Sequence, residues 1–266
     1  MQTSYDFEWL VVDDGSSDDT EKLFVEWQQD KLFPVRYVRQ SNGGKHRAIN
    51  RGAELARGEL FFIVDSDDYL AKESIETIVK EWHKVKDKEY IAGVCGLRAY
   101  PSGQKVGGEE DWSNLDCNSL DFRYKYNCKG DMAEVLRTDV LREYPFPEIQ
   151  NEKFCPELLV FSRIASKYKL HYFYRKIYIC DYLPDGLTAK ITKIRMLSPV
   201  ASCMCYKELV DAKVPWVIKL KNAINYWRFR FCNSPHAFPS LSSLWLWTLP
   251  VGYLMHLRDK KQLKNT

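Results

Sequence analysis

The sequence predicts an α/β fold over residues 1–190 and a helical extension over residues 191–266. In the first part, hydrophobic strand-like runs alternate with helix-like segments, an order typical of a mostly parallel central sheet with helices on its faces. Two of these runs end abruptly in aspartates, and ligands of open α/β sheets bind beyond the carboxyl ends of the strands. The last third is aromatic and basic, which favours amphipathic helices. We therefore expect one Rossmann-like domain with a C-terminal addition.

Each element is predicted from its hydrophobic period and from the residues that end it. Strands are predicted at residues 9–12, 35–38, 60–64 and 91–100, and helices at residues 19–29, 45–56 and 71–85. Further predictions are a functional loop at 107–127, helices at 138–144 and from 156, paired strands at 170–174 and 177–182, a turn at 184–186 and a helix at 215–231.

The composition is that of an ordinary globular protein, with 45% hydrophobic and 28% charged residues. A net charge of +3, without a block of lysines and arginines, argues against a nucleic-acid partner. The eight cysteines lack metal-binding spacing, since the one close pair, Cys203 and Cys205, is separated by a single residue. Reduced thiols and the absence of a signal-peptide pattern at the N-terminus predict a cytoplasmic protein.

The third predicted strand ends in three carboxylates within four positions, with Asp65 and Asp67 at alternate places. Alternate acids after a rigid strand can converge on a hard cation, and Mg²⁺ and Mn²⁺ prefer oxygen ligands. The alternative is that Asp67 or Asp68 caps the helix that follows. A calcium loop of the EF-hand type is excluded, because Leu70 stands where that loop requires glycine.

The first predicted strand repeats this pattern, since it ends in Asp13 and Asp14 and is followed by Gly15, which suits a turn. Because the carboxyl ends of parallel strands meet at one edge of a sheet, we expect the two aspartate clusters to share that edge.

With these elements placed, three stretches resemble the family 2 glycosyltransferases, which are inverting enzymes of the GT-A fold. FEWLVVDDGSSDDT is similar to the family's nucleotide-binding strand end, and NGGKHRAINRGAELARGELFFIVDSDD to its central helix and metal motif. KGDMAEVLRTDVLREYPFPE is similar to its acceptor-side segment. The resemblance spans residues 7–186 and implies a nucleotide-diphosphate sugar donor, usually a UDP-sugar, with Mg²⁺ or Mn²⁺ at an Asp-x-Asp site.

The resemblance also implies roles for single residues. Asp14 is expected to hydrogen-bond the uracil, with Asp13 beside it. Asp67 is expected to bind the metal, and Asp65 to face the ribose or the water shell of the metal. The metal neutralises charge on the departing diphosphate.

The central helix departs from the family pattern, since Ile49 stands before Asn50 where the family often has arginine. Asn50 keeps its expected place in donor binding. Lys45 or Arg47 would then supply the positive charge to the diphosphate. The alternative is that each is a solvated helix residue.

Inversion needs a general base for the acceptor hydroxyl. The family places it in a Glu-Asp pair, and the matching register assigns the base to Glu157, with Pro156 in the place of the usual Glu and Arg163 six positions on. The alternative is an ordinary first-turn acid favoured by the helix dipole. Glu152 is a reserve candidate for the base. On the acceptor side, the resemblance points to Asp131 and Glu134.

The family opens with a strand and helix of about thirty residues that this sequence does not show, so an N-terminally truncated chain is expected. The implied function is transfer of a sugar to a glycan or lipid-linked acceptor in surface polysaccharide biosynthesis. The alternative is a catalytically impaired relative that binds a nucleotide sugar or metal. A nucleotidyltransferase would need a Gly-rich phosphate loop that is not visible, and a processive synthase a Gln-x-x-Arg-Trp motif and several membrane spans.

The C-terminal extension leaves two alternatives open. Trp245, Trp247 and Tyr253, followed by basic residues at 258, 260 and 261, fit a helix that lies in a membrane interface. The same helices could pack on the catalytic domain or on a second subunit. The sequence therefore predicts either peripheral membrane contact or a homo-oligomer.

Overall fold

The structure is a computed structural model that describes residues 1–29, 32–108, 112–181 and 190–264. The chain forms two compact units. The first contains residues 1–145 and 164–181, and the second contains residues 146–163 and 182–266. Residues 146–163 thus pack with the C-terminal helices, whereas the predicted domain boundary at residue 190 stays a prediction.

The first unit alternates strands and helices, which confirms the predicted α/β class. Its strands are β1 (Trp9–Asp13), β2 (Val35–Arg39), β3 (Leu60–Phe62), β4 (Tyr69–Leu70), β5 (Ile91–Ala99), β6 (Leu115–Cys117), β7 (Met132–Arg137) and β8 (Lys169–Ile179). Its helices are α1 (Thr20–Trp27), α2 (Lys45–Leu55), α3 (Ser74–His83), α4 (Ser119–Tyr124) and α5 (Thr138–Glu143).

The strands form two sheets. β1 and β2 pair in parallel, and the other strands form one mixed sheet in the order β3-β7-β5-β8-β4, with β6 also on β8. β5 and β8 are parallel, and the other neighbours are antiparallel. Because β7 is antiparallel to both β3 and β5, strands β3, β5 and β8 run in the same direction. Their carboxyl ends therefore share one edge of the sheet.

Helix α2 lies against both sheets. A Cβ atom on Gly52 of this helix would be 3.6 Å from Val12 Cγ2 in β1 and 3.2 Å from Phe61 Cζ in β3. Within the described residues, no hydrogen-bonded ladder joins β1 to β3, so each strand has one unpaired edge. The three apolar side chains of β3 are accordingly only half-buried.

The core of the first unit lies between α3 and the mixed sheet. Ile78 and Trp82 of α3 are buried in one cluster with Val94 of β5 and with Phe173 and Ile177 of β8. Burial of side chains of this size contributes about 1.5–3 kcal/mol each. This packing fixes the position of β8, which matters for the site below.

Two sequence predictions about elements are wrong, and a further element is missed. The predicted loop at residues 107–127 contains β6, which pairs with β8, and α4, whose first turn is capped by the Asn118 side chain. The predicted strand pair near residues 170–182 is the single strand β8, because the two charged residues at its centre, Arg175 and Lys176, are exposed rather than in a turn. Strand β7 was not predicted at all. The predicted turn at residues 184–186 lies outside the described residues.

The second unit is helical in its described part. It contains most of α6 (Glu157–Ala165), then α7 (Ile191–Leu197), α8 (Pro199–Asp211), α9 (Trp216–Arg230), a 3-10 helix (Ser243–Thr248) and α10 (Leu249–Lys264). These helices confirm the predicted C-terminal extension. Among the described residues, no helix combines the length and the hydropathy needed to cross a bilayer.

Candidate active site

The two aspartate clusters contact the first residue of α2 and the short loop before it. The backbone N–H groups of Gly43 and Gly44 donate to the Asp14 carboxylate, with N···O distances of 2.9 and 2.7 Å. The next residue, Lys45, forms an ion pair with Asp65, in which Nζ lies 2.6 Å from Oδ1. The structure thus brings the ends of β1 and β3 to one site.

The Asp14 carboxylate holds this loop in place. This carboxylate also accepts a hydrogen bond from the Gln40 side chain at 2.8 Å. The backbone carbonyl of Asp14 accepts one from the Asn42 side chain at 2.9 Å. Gly15 has φ of +85°, and a Cβ atom there would lie only 2.9 Å from the backbone nitrogen of Asn42. Glycine therefore permits this close approach of the two loops. The predicted hydrogen bond from Asp14 to uracil stays a prediction.

Asp13 is the buried member of the first cluster. One carboxylate oxygen accepts the Ser16 backbone N–H at 2.7 Å, and the other accepts the Tyr37 hydroxyl. Burial raises the pKa of Asp13, but these hydrogen bonds and the charge of Arg39 outweigh it and hold the pKa below its usual value. Burial and the Asp13 carboxylate raise the pKa of Tyr37 to about 12. Asp13 is therefore an ionised, fixed group beneath the β1 turn.

The turn after β3 is held by a tyrosine far away in the sequence. The Tyr178 hydroxyl accepts the Asp65 backbone N–H at 3.0 Å and donates to Asp68 Oδ2 at 2.7 Å. Burial, with the neighbouring Asp67 and Asp65 charges, raises the pKa of Asp68, although the tyrosine hydrogen bond opposes this shift. One hydroxyl thus fixes both ends of the aspartate turn.

The helix-cap alternative for this turn is wrong. After Asp68 the chain forms the short strand β4, which pairs with β8, and α3 begins only at Ser74 with Glu73 at its N-cap position. Asp67 and Asp68 therefore cap no helix. Asp67 is instead exposed at the tip of the turn.

The donor set suits a divalent cation that is shared with a phosphate ligand. Asp65 and Asp67 offer two carboxylates from one fixed turn. Within the described ranges, no group of three or more His, Cys, Asp or Glu side chains is arranged to hold a metal by itself. Mg²⁺ at nucleotide sites commonly uses one or two carboxylates and takes its other ligands from phosphate and water. The two aspartates fit that arrangement.

One of the two predicted acceptor-side residues lies at the same sheet edge. Phe62 of β3 pairs with Val135 of β7, so the antiparallel register places the start of β7 beside the end of β3. Asp131 directly precedes β7 and is exposed there. Glu134 lies further along β7, half-buried and opposite Cys95 of β5.

Arg98, at the end of β5, connects these parts. Its Nε donates to the Met132 carbonyl at 2.7 Å, and its guanidinium carbon lies 4.4 Å from the centre of the Tyr178 ring. The sheet edge therefore contains a cation between the start of β7 and the tyrosine that holds the aspartate turn.

Residues 1–132 match the family model described as glycosyl transferase family 2. The chain belongs to glycosyl transferase family 2. Among curated relatives, glycosyltransferase GlyG of Streptococcus pneumoniae is 37% identical over 94 residues, which are 35% of this chain and 30% of that protein. The chondroitin synthase of Escherichia coli is 36% identical over 83 residues, which are 31% of this chain and 12% of that protein.

Solved structures show the same fold. Residues 1–349 of TarS from S. aureus, in complex with UDP, superpose with a TM-score of 0.58 at 18% identity, covering 86% of this chain and 63% of that chain. This likeness confirms the predicted GT-A fold. The chain thus spans less than two thirds of each of these three relatives.

The central helix of the family 2 domain is α2, which presents a polar and a buried side. Ile49 is buried, with 6% of its surface exposed, which explains why an apolar residue stands there. Asn50 beside it is half-buried. Arg47 turns back to donate to the Gly43 carbonyl, so it supports the loop that binds Asp14. Of the two cations that the sequence offered, Lys45 is the one paired with the aspartate turn.

The predicted base and its neighbours belong to the second unit. Glu157 is half-buried in the first turn of α6. Arg163, six residues on, donates to the Glu208 carboxylate of α8 from Nε at 2.9 Å and from Nη2 at 2.6 Å. The reserve candidate, Glu152, is 4% exposed, and its two carboxylate oxygens accept the Val200 and Ala201 N–H groups at 2.8 and 2.9 Å. Glu152 therefore caps α8.

Sequence reasoning missed Tyr178 and Arg98. Both lie on strands of the mixed sheet, where an aromatic or a basic residue is unremarkable in the sequence. Their importance comes from the pairing of β8 with β4 and β5, which joins positions about 80 to 110 residues apart. No local pattern carries that information.

Proposed function

We propose that this protein transfers a sugar from a UDP-sugar to a glycan or lipid-linked acceptor, with inversion at the anomeric carbon. The observation that carries this proposal is the Lys45–Asp65 ion pair, which joins the loop on Asp14 to the exposed Asp67 turn. Family 2 membership supports the class of reaction. Chondroitin and hyaluronan synthases among the relatives support a place in polysaccharide biosynthesis. TarS was solved with UDP and with UDP-GlcNAc, which supports a uridine nucleotide.

The proposed donor site runs along the shared sheet edge. Asp14 is proposed to hydrogen-bond the uracil with the buried Asp13 beside it, and Asn50 contributes to donor binding from α2. Lys45 carries the cation nearest the aspartate turn, so it is placed to contact the diphosphate when Asp65 turns to the ribose or the metal. Asp65 and Asp67 would hold Mn²⁺ or Mg²⁺, which when bound neutralises charge on the leaving diphosphate.

The proposed reaction is a single displacement. The acceptor hydroxyl oxygen forms the new bond to the anomeric carbon as the bond from that carbon to the diphosphate oxygen breaks. The hydroxyl proton passes to Glu157, and the nucleoside diphosphate leaves with the electron pair of the broken bond. Asp131 and Glu134 are proposed to contribute to acceptor binding.

A second candidate function is donor binding without turnover. The observation that favours it is the unpaired edge that β1 and β3 each keep beneath α2, together with the half-buried apolar side chains of β3. A donor site whose walls lie on two separate sheets is less rigidly fixed than one on a continuous sheet, and catalysis depends on such positioning.

Paired variants separate the two candidates. UDP binding is measured by calorimetry with and without Mn²⁺, and transfer or hydrolysis is screened with a panel of UDP- and GDP-sugars. Asp67→Asn is expected to abolish the Mn²⁺-dependent part of UDP binding, whereas Glu157→Gln is expected to keep that binding and to abolish transfer. Asp87→Asn, outside the site, serves as the control for Asp67→Asn.

Mn²⁺-dependent binding without turnover of any sugar by the unmodified chain would select the second candidate. No metal-dependent binding of any nucleotide sugar would refute both.

A further inference from the structure

The second unit exposes an apolar face that its own helices do not cover. We define the apolar face by six side chains: Trp216 at the start of α9; Leu244, Leu246 and Trp247 of the 3-10 helix; and Leu254 and Leu257 of α10. Leu244 and Leu254 are 73% and 66% exposed, and Trp247 is 58% exposed. Side chains of this size are rarely so exposed in contiguous groups unless they meet a partner.

These side chains lie on neighbouring elements of the second unit. The rings of Trp216 and Trp247 stack with their centroids 6.4 Å apart, which joins the start of α9 to the 3-10 helix. The 3-10 helix runs directly into α10, whose inner side is marked by the buried Gly252, His256 and Asp259. Leu254 and Leu257 fall on the opposite side of α10 from these three residues. The apolar face therefore points away from the helical core.

Positive charge accompanies the apolar face. Residues 191–266 contain twelve lysines and arginines and only three acidic residues, whereas residues 1–190 contain six more acidic than basic residues. The three acids are already paired: Glu208 with Arg163, Asp211 with Lys207, and Asp259 with Arg228. Arg258, Lys260 and Lys261 follow the apolar turns of α10 and are exposed. The electrostatic field of this part of the chain is thus positive.

We propose that the apolar face docks on an anionic lipid bilayer. Tryptophans and leucines insert at the boundary between headgroups and acyl chains, and lysines beside them attract anionic headgroups. The same face of a second copy fits less well, because a two-fold contact through this face would bring one strongly basic surface against another. This proposal is independent of sugar transfer and is tested without a donor.

The test is flotation of the full chain with vesicles. Binding is expected with vesicles of phosphatidylcholine and phosphatidylglycerol, and not with phosphatidylcholine alone, and it is expected to weaken as salt increases. Leu254→Ser is expected to lower the affinity about tenfold through loss of buried apolar area. Lys260→Gln and Lys261→Gln are expected to lower it about fivefold each. Leu23→Ser, at an exposed leucine of α1, is the matched control and is expected to change nothing.

Near-ultraviolet circular dichroism of each variant checks that it is folded. The proposal fails if the folded chain does not float with anionic vesicles at low salt, or if Leu23→Ser weakens binding as much as Leu254→Ser. It also fails if sedimentation shows a dimer that Leu254→Ser dissociates while vesicles bind nothing, because the face would then join two copies.

Discussion

Replacing Tyr178 with phenylalanine removes one oxygen atom and leaves the aspartate turn without its support. The lost contacts are the hydrogen bond to Asp68 at 2.7 Å and the one from the Asp65 N–H at 3.0 Å. A hydrogen bond to a charged group contributes about 1.5–3 kcal/mol and one between neutral groups about 1 kcal/mol. Because Asp68 is partly open to solvent, we expect a total loss of about 2 kcal/mol in the free energy that holds the turn.

This loss should appear in metal-dependent ligand binding. If the turn moves, the Asp65 and Asp67 carboxylates that we propose as metal ligands change their relative position, and we expect UDP binding in the presence of Mn²⁺ to weaken at least tenfold. Because the tyrosine hydrogen bond lowers the pKa of Asp68, its removal raises that pKa further, and the acid limb of UDP binding should move to higher pH.

The assay is calorimetric titration of UDP at fixed Mn²⁺ across a pH series. Tyr174→Phe, the same substitution on the same strand, is the control. Equal affinity and an unchanged acid limb in Tyr178→Phe would show that the turn holds its shape without the hydroxyl, and would refute the reasoning.

Three further predictions concern neighbouring contacts. Lys45→Met is expected to weaken UDP binding about tenfold by calorimetry, since it removes the cation paired with Asp65; unchanged affinity would exclude its proposed role. Glu152→Ala is expected to cost about 1–2 kcal/mol of stability in chemical denaturation, because it uncaps α8, without a change in UDP binding. The pKa of Asp13 is lower in the folded chain than the value near 3.8 expected in the unfolded chain. Ionised Asp13 therefore stabilises the fold at pH values above about 3.8, and this stabilisation is lost as the pH falls through the folded pKa. Tyr37→Phe should therefore reduce the acid dependence of the denaturation midpoint, and an unchanged dependence would contradict the assignment.

The parts of the site that the sequence predicts are those built from local patterns. Asp13 and Asp65 follow apolar strands directly, so their place at the sheet edge follows from strand and helix alternation alone. The helix that begins at Lys45 and the loop of glycines before it also follow from this pattern, whereas their contacts with Asp65 and Asp14 do not.

What the sequence does not predict comes from contacts between distant segments. Tyr178 serves the aspartate turn only because β8 packs on α3 and pairs with β4. Glu152, the reserve candidate for the base, instead accepts the first amides of α8, which lie 48 and 49 residues further along the chain. The sequence pattern predicts two strands in place of β8 because the exposed charges at its centre resemble a turn.

The separate edges of β1 and β3 have a practical consequence for handling this protein. An unpaired strand edge presents a row of free amides and carbonyls that will accept any extended peptide. At high concentration, we expect this chain to associate through these edges more readily than through its charged helices. Peptides with alternating apolar residues should act as competitors that keep it dispersed, and their protection of β1 amides from hydrogen exchange would locate the contact.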